Sequence, residues 1–139
     1  MTARTFLLAL GGALLLAGLT AARPAASFFT TYTYLSYAIL DRESSPRPLP
    51  AQGVGGTLTL QANGTYQKRL TMSANGGTMR FDQDGRFTFT PGHIRFTYPD
   101  KTGRSRTDEG TFQLHQGQLT ITLNGYPAGN QSIYTLRAQ

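Results

Sequence analysis

Lys68 is the side chain that fits its surroundings least. In Tyr66-Gln67-Lys68-Arg69-Leu70-Thr71-Met72, strand-like alternation puts it on the face of Tyr66, Leu70 and Met72. An ammonium among apolar groups is costly unless it is compensated. Three arrangements would resolve the conflict: Lys68 snorkels to a rim, pairs with a carboxylate, or marks a pocket for an acidic group. Arg106 and Asp108 raise a similar question, because the same counting puts them on the face of Phe112; an ion pair between them, where that strand runs past the barrel edge, would answer it. Little else could do chemistry. The chain has no cysteine, which removes thiol nucleophiles and Cys-based zinc sites. His93 and His115 each sit beside a turn, with no third metal ligand in spacing. No Gly-x-Ser-x-Gly occurs. The expectation is a protein that is not an enzyme and needs no cofactor or metal.

Other candidate motifs are weak. Asp82-Gln83-Asp84-Gly85 hints at a calcium loop. With Gly85 sixth, however, the first and twelfth positions would be Arg80 and Pro91 instead of acids, so a hairpin turn is expected. Lys101, Arg104 and Arg106 form a basic cluster, with Arg95 nearby. No aromatic platform is interleaved with them on that face, so nucleic acid is not an expected partner. An anionic envelope polymer fits such charges better. Asn63-Gly64-Thr65 and Asn130-Gln131-Ser132 match the glycosylation pattern, and the first is explained as a turn.

The elements that position these residues read as strands. Charged residues make up 14% of the chain, against a soluble average of about 25%. Thr, Ser, Gln, Asn and Gly supply the polarity, which suits strands and tight turns. Thr31 to Leu40 is rich in β-branched and aromatic residues. Residues 41–55, with three prolines, read as one long loop. From Gly56 the chain is a run of hairpins. Strands are expected at 56–61, 65–73, 78–82, 86–90, 93–98, 106–114, 118–123 and 131–137, with Ala62-Asn63-Gly64, Asn75-Gly76-Gly77 and Gln83-Asp84-Gly85 among the turns.

An internal repeat supports the hairpins. Gly85 to Phe96 aligns with Gly110 to Ile121 at a constant offset, matching Gly85 to Gly110 and Gly92 to Gly117. Phe87, Phe89, Ile94 and Phe96 then share one face with Phe112, Leu114, Leu119 and Ile121. Leu58, Leu60, Met79, Phe81, Tyr98, Leu123, Tyr134 and Leu136 join it by the same alternation. One face is apolar and one wet, as in an antiparallel sheet. With no helix expected in residues 31–139 to cover the apolar face, closure is required. The fold class expected is all-β: an antiparallel up-and-down meander closing into a small barrel of about eight strands.

The N-terminus reads as an address. Arg4 precedes an apolar run from Phe6 to Leu19, and Thr20-Ala21-Ala22 offers small residues for a signal peptidase. Residues 1–22 are expected to be a helical signal peptide cleaved after Ala22, residues 23–30 a lead-in, and residues 31–139 the domain. An uncleaved anchor is the alternative, though the run is short for a span. The protein is expected to be secreted or periplasmic, with no membrane association after cleavage. Removing Arg4 leaves 12 basic and 7 acidic residues, a net charge of +5.

Leu58-Thr-Leu-Gln-Ala-Asn-Gly-Thr-Tyr66, Gly85-Arg-Phe-Thr-Phe89 and Gly110 to Ile121 resemble units of bacterial secreted lipocalin-like domains, over roughly Thr31 to Leu136. The resemblance implies an up-and-down barrel whose first long loop lies over the mouth. That family carries a Trp in the first strand; this chain has none, and Tyr32 and Tyr34 stand near the place. Two readings of the inward face stay open: a core filled by its own side chains, or an apolar pocket near the mouth. In the second, Tyr66, Lys68, Phe87, Phe89, Phe96 and Tyr98 would hold a small apolar or amphipathic ligand. The alternative is an envelope structural or interaction domain that uses its basic, Thr-rich outer face.

Overall fold

The computed structural model describes residues 27–44, 46–125 and 129–139. The expected signal peptide and residues 23–26 lie outside them. Nine strands are present among the described residues: β1 (Thr31–Leu40), β2 (Leu49–Pro50), β3 (Gly55–Leu60), β4 (Thr65–Ala74), β5 (Gly77–Thr90), β6 (His93–Pro99), β7 (Ser105–His115), β8 (Gln118–Asn124) and β9 (Gln131–Ala138). All pairings are antiparallel. The order β1-β3-β4-β5-β6-β7-β8-β9 closes through β1–β9 into an eight-stranded barrel.

The repeat holds. Thr90 pairs with His93 and His115 with Gln118, so both copies are hairpins with two-residue turns. The turns differ in kind. Gln116 and Gly117 both have positive φ, whereas at Pro91-Gly92 only Gly92 does, because the proline ring cannot reach that region. The glycines that open each copy lie within strands. A Cβ on Gly85 would approach the Thr97 carbonyl oxygen to 2.2 Å, and one on Gly110 the Thr122 oxygen to 1.8 Å. Only a residue without Cβ lets the backbones come this close where the sheet bends.

Three expectations need correction. Gln83-Asp84-Gly85 is not a turn; β5 runs unbroken from Gly77 to Thr90, pairing with β4 from end to end of the Thr65–Ala74 ladder. The flanking alternation of Met79, Phe81, Phe87 and Phe89 continues through Gln83 and Gly85 and outweighs their turn propensity. The Asn75-Gly76-Gly77 turn is shorter than expected: Ala74 pairs with Gly77, which leaves Asn75 and Gly76, both with positive φ, as a two-residue turn. Finally, residues 41–55 are not all loop. β2 pairs with the upper half of β1 (Ile39 with Leu49) and β3 with its lower half (Thr33 with Thr57). Together they make one interrupted strand, tied to β4 where Ser73 N–H donates to the Gln52 carbonyl.

The core is Tyr32, Tyr34, Leu58, Leu60, Tyr66, Leu70, Phe87, Ile94, Phe96, Leu119, Ile121, Leu123, Tyr134 and Leu136, all buried. Tyr32 and Tyr34 fill the base of β1. Past them a bulge between Tyr34 and Ser36 shifts the register, so that Tyr37, not Ser36, faces inward and stacks on Tyr134 at 4.8 Å. Met79, Phe81 and Phe89 were expected inside, yet they are 45%, 39% and 45% exposed. Their face is right: Phe81 pairs with buried Leu70 and Phe89 with buried Ile94. They sit near the two ends of β5, at the barrel's mouth and base, where too little structure lies above or below them to bury them.

Candidate functional site

The two ends of the barrel are built differently. At the lower end the turns are short and the segment before β1 folds across the opening. Phe28 stacks against Phe112 at 5.1 Å and lies 4.9 Å from the Phe89 ring. The buried Tyr32 hydroxyl donates to the Phe28 carbonyl at 2.7 Å, which pins this plug in place. At the upper end lie the longer connections, whose described residues outside strands are 41–44, 46–48, 51–54, 100–104, 125 and 129–130. Here the inward face of β1, β2 and β5 is left uncovered. Ile39 is 41% exposed and Leu49 53%, and on β5 Met79 is 45% and Phe81 39% exposed. Half-buried Met72, paired with Met79, completes this apolar rim.

Below the rim is a polar floor. The Tyr66 hydroxyl donates to Gln83 Oε1 at 2.5 Å, and the Tyr98 hydroxyl donates to Asp108 Oδ2 at 3.0 Å. Register explains the meeting: Lys68 pairs with Gln83, and Phe96, next inward residue to Tyr98, pairs with Asp108. Lys68 Nζ lies 5.1 Å from the centroid of the Tyr134 ring, a cation–π contact. It has no ion pair among the described residues; those present are Arg69–Asp84, Arg80–Asp82 and Arg95–Glu109. Burial lowers the Lys68 pKa, and the Asp108 charge acts in the opposite direction. Burial likewise pushes the Tyr34, Tyr66 and Tyr134 hydroxyls up, which keeps them neutral donors.

These groups surround a cavity of only about 20 Å³, bounded by Tyr34, Tyr66, Lys68, Gln83, Phe96, Asp108 and Tyr134 among others. That is room for about one water molecule. The barrel around these residues is filled by their side chains, and Lys68 lines the small space between them.

Of the six residues expected to hold a ligand, Tyr66, Lys68 and Phe96 line this cavity. Tyr98 joins them through Asp108. Phe87 and Phe89 do not: Phe87 packs between Phe96 (6.4 Å) and the Phe28 plug (6.3 Å), and Phe89 belongs to the lower aromatic cluster. Gln83, which lines the cavity, and Ile39 and Leu49 at the rim are not among the six; the turn composition around Gln83 and the prolines around Leu49 conceal them in the sequence.

Outside the barrel, Arg95 is bound by Glu109 at 2.9 Å, beside His93 in an open trough. Lys101 and Arg106 share a cleft with Asp82, Asp84 and Asp100. The expected basic cluster is thus interleaved with carboxylates. Arg106 and Asp108, which the sequence left as a possible pair, form no ion pair within 4 Å.

No family model matches the chain, and no curated protein does. Among solved structures it is similar to an uncharacterized protein from Bacteroides eggerthii DSM 20697. The identity is 9% over 81% of this chain and 100% of that one, with a TM-score of 0.45. A likeness of that size bears on neither fold nor function.

Proposed function

We propose that this is an exported lipocalin-like binding protein, not an enzyme, that holds a small amphipathic molecule at the barrel mouth. The ligand's apolar part lies against Ile39, Leu49, Met79 and Phe81. Its acidic end meets the floor at Lys68. The observation that supports this reading is the pairing of inward-facing but exposed apolar side chains with a half-buried ammonium on the same inward face, which forms no ion pair among the described residues. An acidic head group that reaches this cavity would compensate Lys68. Covering each half-exposed rim side chain contributes roughly 1 kcal/mol. The filled body limits the ligand to one that docks at the mouth with little penetration.

The test uses an anilinonaphthalene sulfonate dye, which joins an aromatic body to an anionic group. Its fluorescence should rise on binding and fall again as decanoate displaces it. Phe81→Lys should abolish the displaceable signal, whereas Phe89→Ser at the lower end should retain it. Equal loss in both variants, or retention in both, contradicts a site at the mouth.

A further inference from the structure

The two neighbours of β5 use different parts of it. β4 pairs along Gly77 to Arg86, but β6 pairs only along Arg86 to Thr90. On the β6 side, the stretch from Gly77 to Gly85 has no partner strand among the described residues. The residues from Gly77 to Asp82 are all exposed, Met79 and Phe81 included. A sheet edge of this kind presents unpaired N–H and C=O groups, and proteins ordinarily cover or blunt it.

We propose that this edge is completed by the same edge of a second copy, in an antiparallel pairing centred on Phe81. The two-fold axis runs perpendicular to the sheet, so the inward faces of both copies lie on the same side. Charge selects the register. Centring on Phe81 sets Arg80 opposite Asp82 of the second copy, twice, with Met79 opposite Gln83 and Thr78 opposite Asp84. Centring on Arg80 or on Asp82 sets that residue opposite itself. Centring on Gln83 sets Asp82 opposite Asp84. Opposite charges facing across strands stabilise pairing and like charges oppose it. Within one chain Arg80 and Asp82 make only a loose contact of 3.7 Å, with side chains 70% and 49% exposed, so both are free to exchange partners.

Space for the incoming strand exists. Between β5 and the end of β6 lies a cleft of about 450 Å³, lined by Gln83, Asp84, Tyr98, Pro99 and Lys101. In the Phe81 register the second copy's Thr78 arrives there, opposite Asp84. The two Phe81 rings meet across the axis, and Met79 of each copy is drawn into the same apolar seam. The pairing does not depend on a ligand at the mouth.

Sedimentation velocity from micromolar to millimolar protein tests this. The full-length mature chain should show a monomer–dimer equilibrium. Arg80→Asp or Asp82→Arg alone should weaken it about tenfold or more, since each puts two like-charge pairs opposite one another. The double variant Arg80→Asp/Asp82→Arg should return it to the wild-type value. Thermal melting confirms that these exposed substitutions leave the barrel folded. Amides from Gly77 to Asp84 should exchange with deuterium more slowly as concentration rises. A monomer at every concentration overturns the proposal. So does a dimer indifferent to the single substitutions, or a double variant as weak as either single.

Discussion

The lower and upper ends of this barrel solve one problem in opposite ways. Inward-facing side chains near the rim of a barrel have nothing above or below to cover them. At the lower end the chain supplies a cover: Phe28 packs on Phe87, Phe89 and Phe112, and even the exposed rings Phe29 and Phe89 lie against one another at 5.9 Å. At the upper end Phe81 has no ring contact among the described residues, and Ile39, Leu49 and Met79 are exposed there as well. The polar groups divide the same way. Lys68, Gln83, Tyr98 and Asp108 are in the upper half, whereas the core around Phe87 and Phe28 is aromatic. One end is built for stability and the other keeps uncovered apolar surface on the face of a half-buried charge, the pairing expected of a binding site.

That contrast can be broken by substitution. The largest effect belongs to the lower end: Phe87→Ala should cost about 3–5 kcal/mol of stability in urea unfolding, because the ring is buried on all sides. It should leave dye affinity at the mouth unchanged in the folded fraction. Lys68→Met comes next, with the opposite sign. Removing a half-buried ammonium that lacks an ion pair should raise stability by up to about 1 kcal/mol. The pH dependence follows from the same burial. The folded-state pKa of Lys68 lies below the 10.5 of the unfolded chain, so between the two the unfolded chain binds more protons. Wild-type stability from this group is lowest below the folded pKa, rises through the window and is regained above 10.5, and Lys68→Met should flatten the rise. Smallest is Phe81→Ser, which should change stability by no more than about 0.5 kcal/mol, since the ring has little to lose at the open mouth. A cost as large as that of Phe87→Ala would erase the distinction between the ends.

Much of this was legible in the residues. Alternation alone placed Lys68 inward beside Tyr66 and Leu70, and Asp108 on the face of Phe112. The repeat fixed two hairpins and their register. What alternation cannot supply is depth along the barrel axis. Phe87 and Phe96 share a face with Phe89, but only the closed barrel shows that Phe89 is at the base and Lys68 near the mouth. Local turn chemistry also misled. Gln83-Asp84-Gly85 has turn composition, yet its pairing with Lys68, Gln67 and Tyr66 holds it in β5, and that hid Gln83 from the site. Leu49 was hidden by its prolines, because pairing of two residues with a bulged β1 leaves no periodic trace.

The most direct test of the site is calorimetric. Decanoate and decanol have the same chain but differ in the group that would meet Lys68. The wild-type protein should bind decanoate more tightly than decanol, and Lys68→Met should abolish that preference while keeping affinity for the alcohol. Equal binding of the two by the wild type, or a preference that survives Lys68→Met, would contradict a mouth site with Lys68 as its floor.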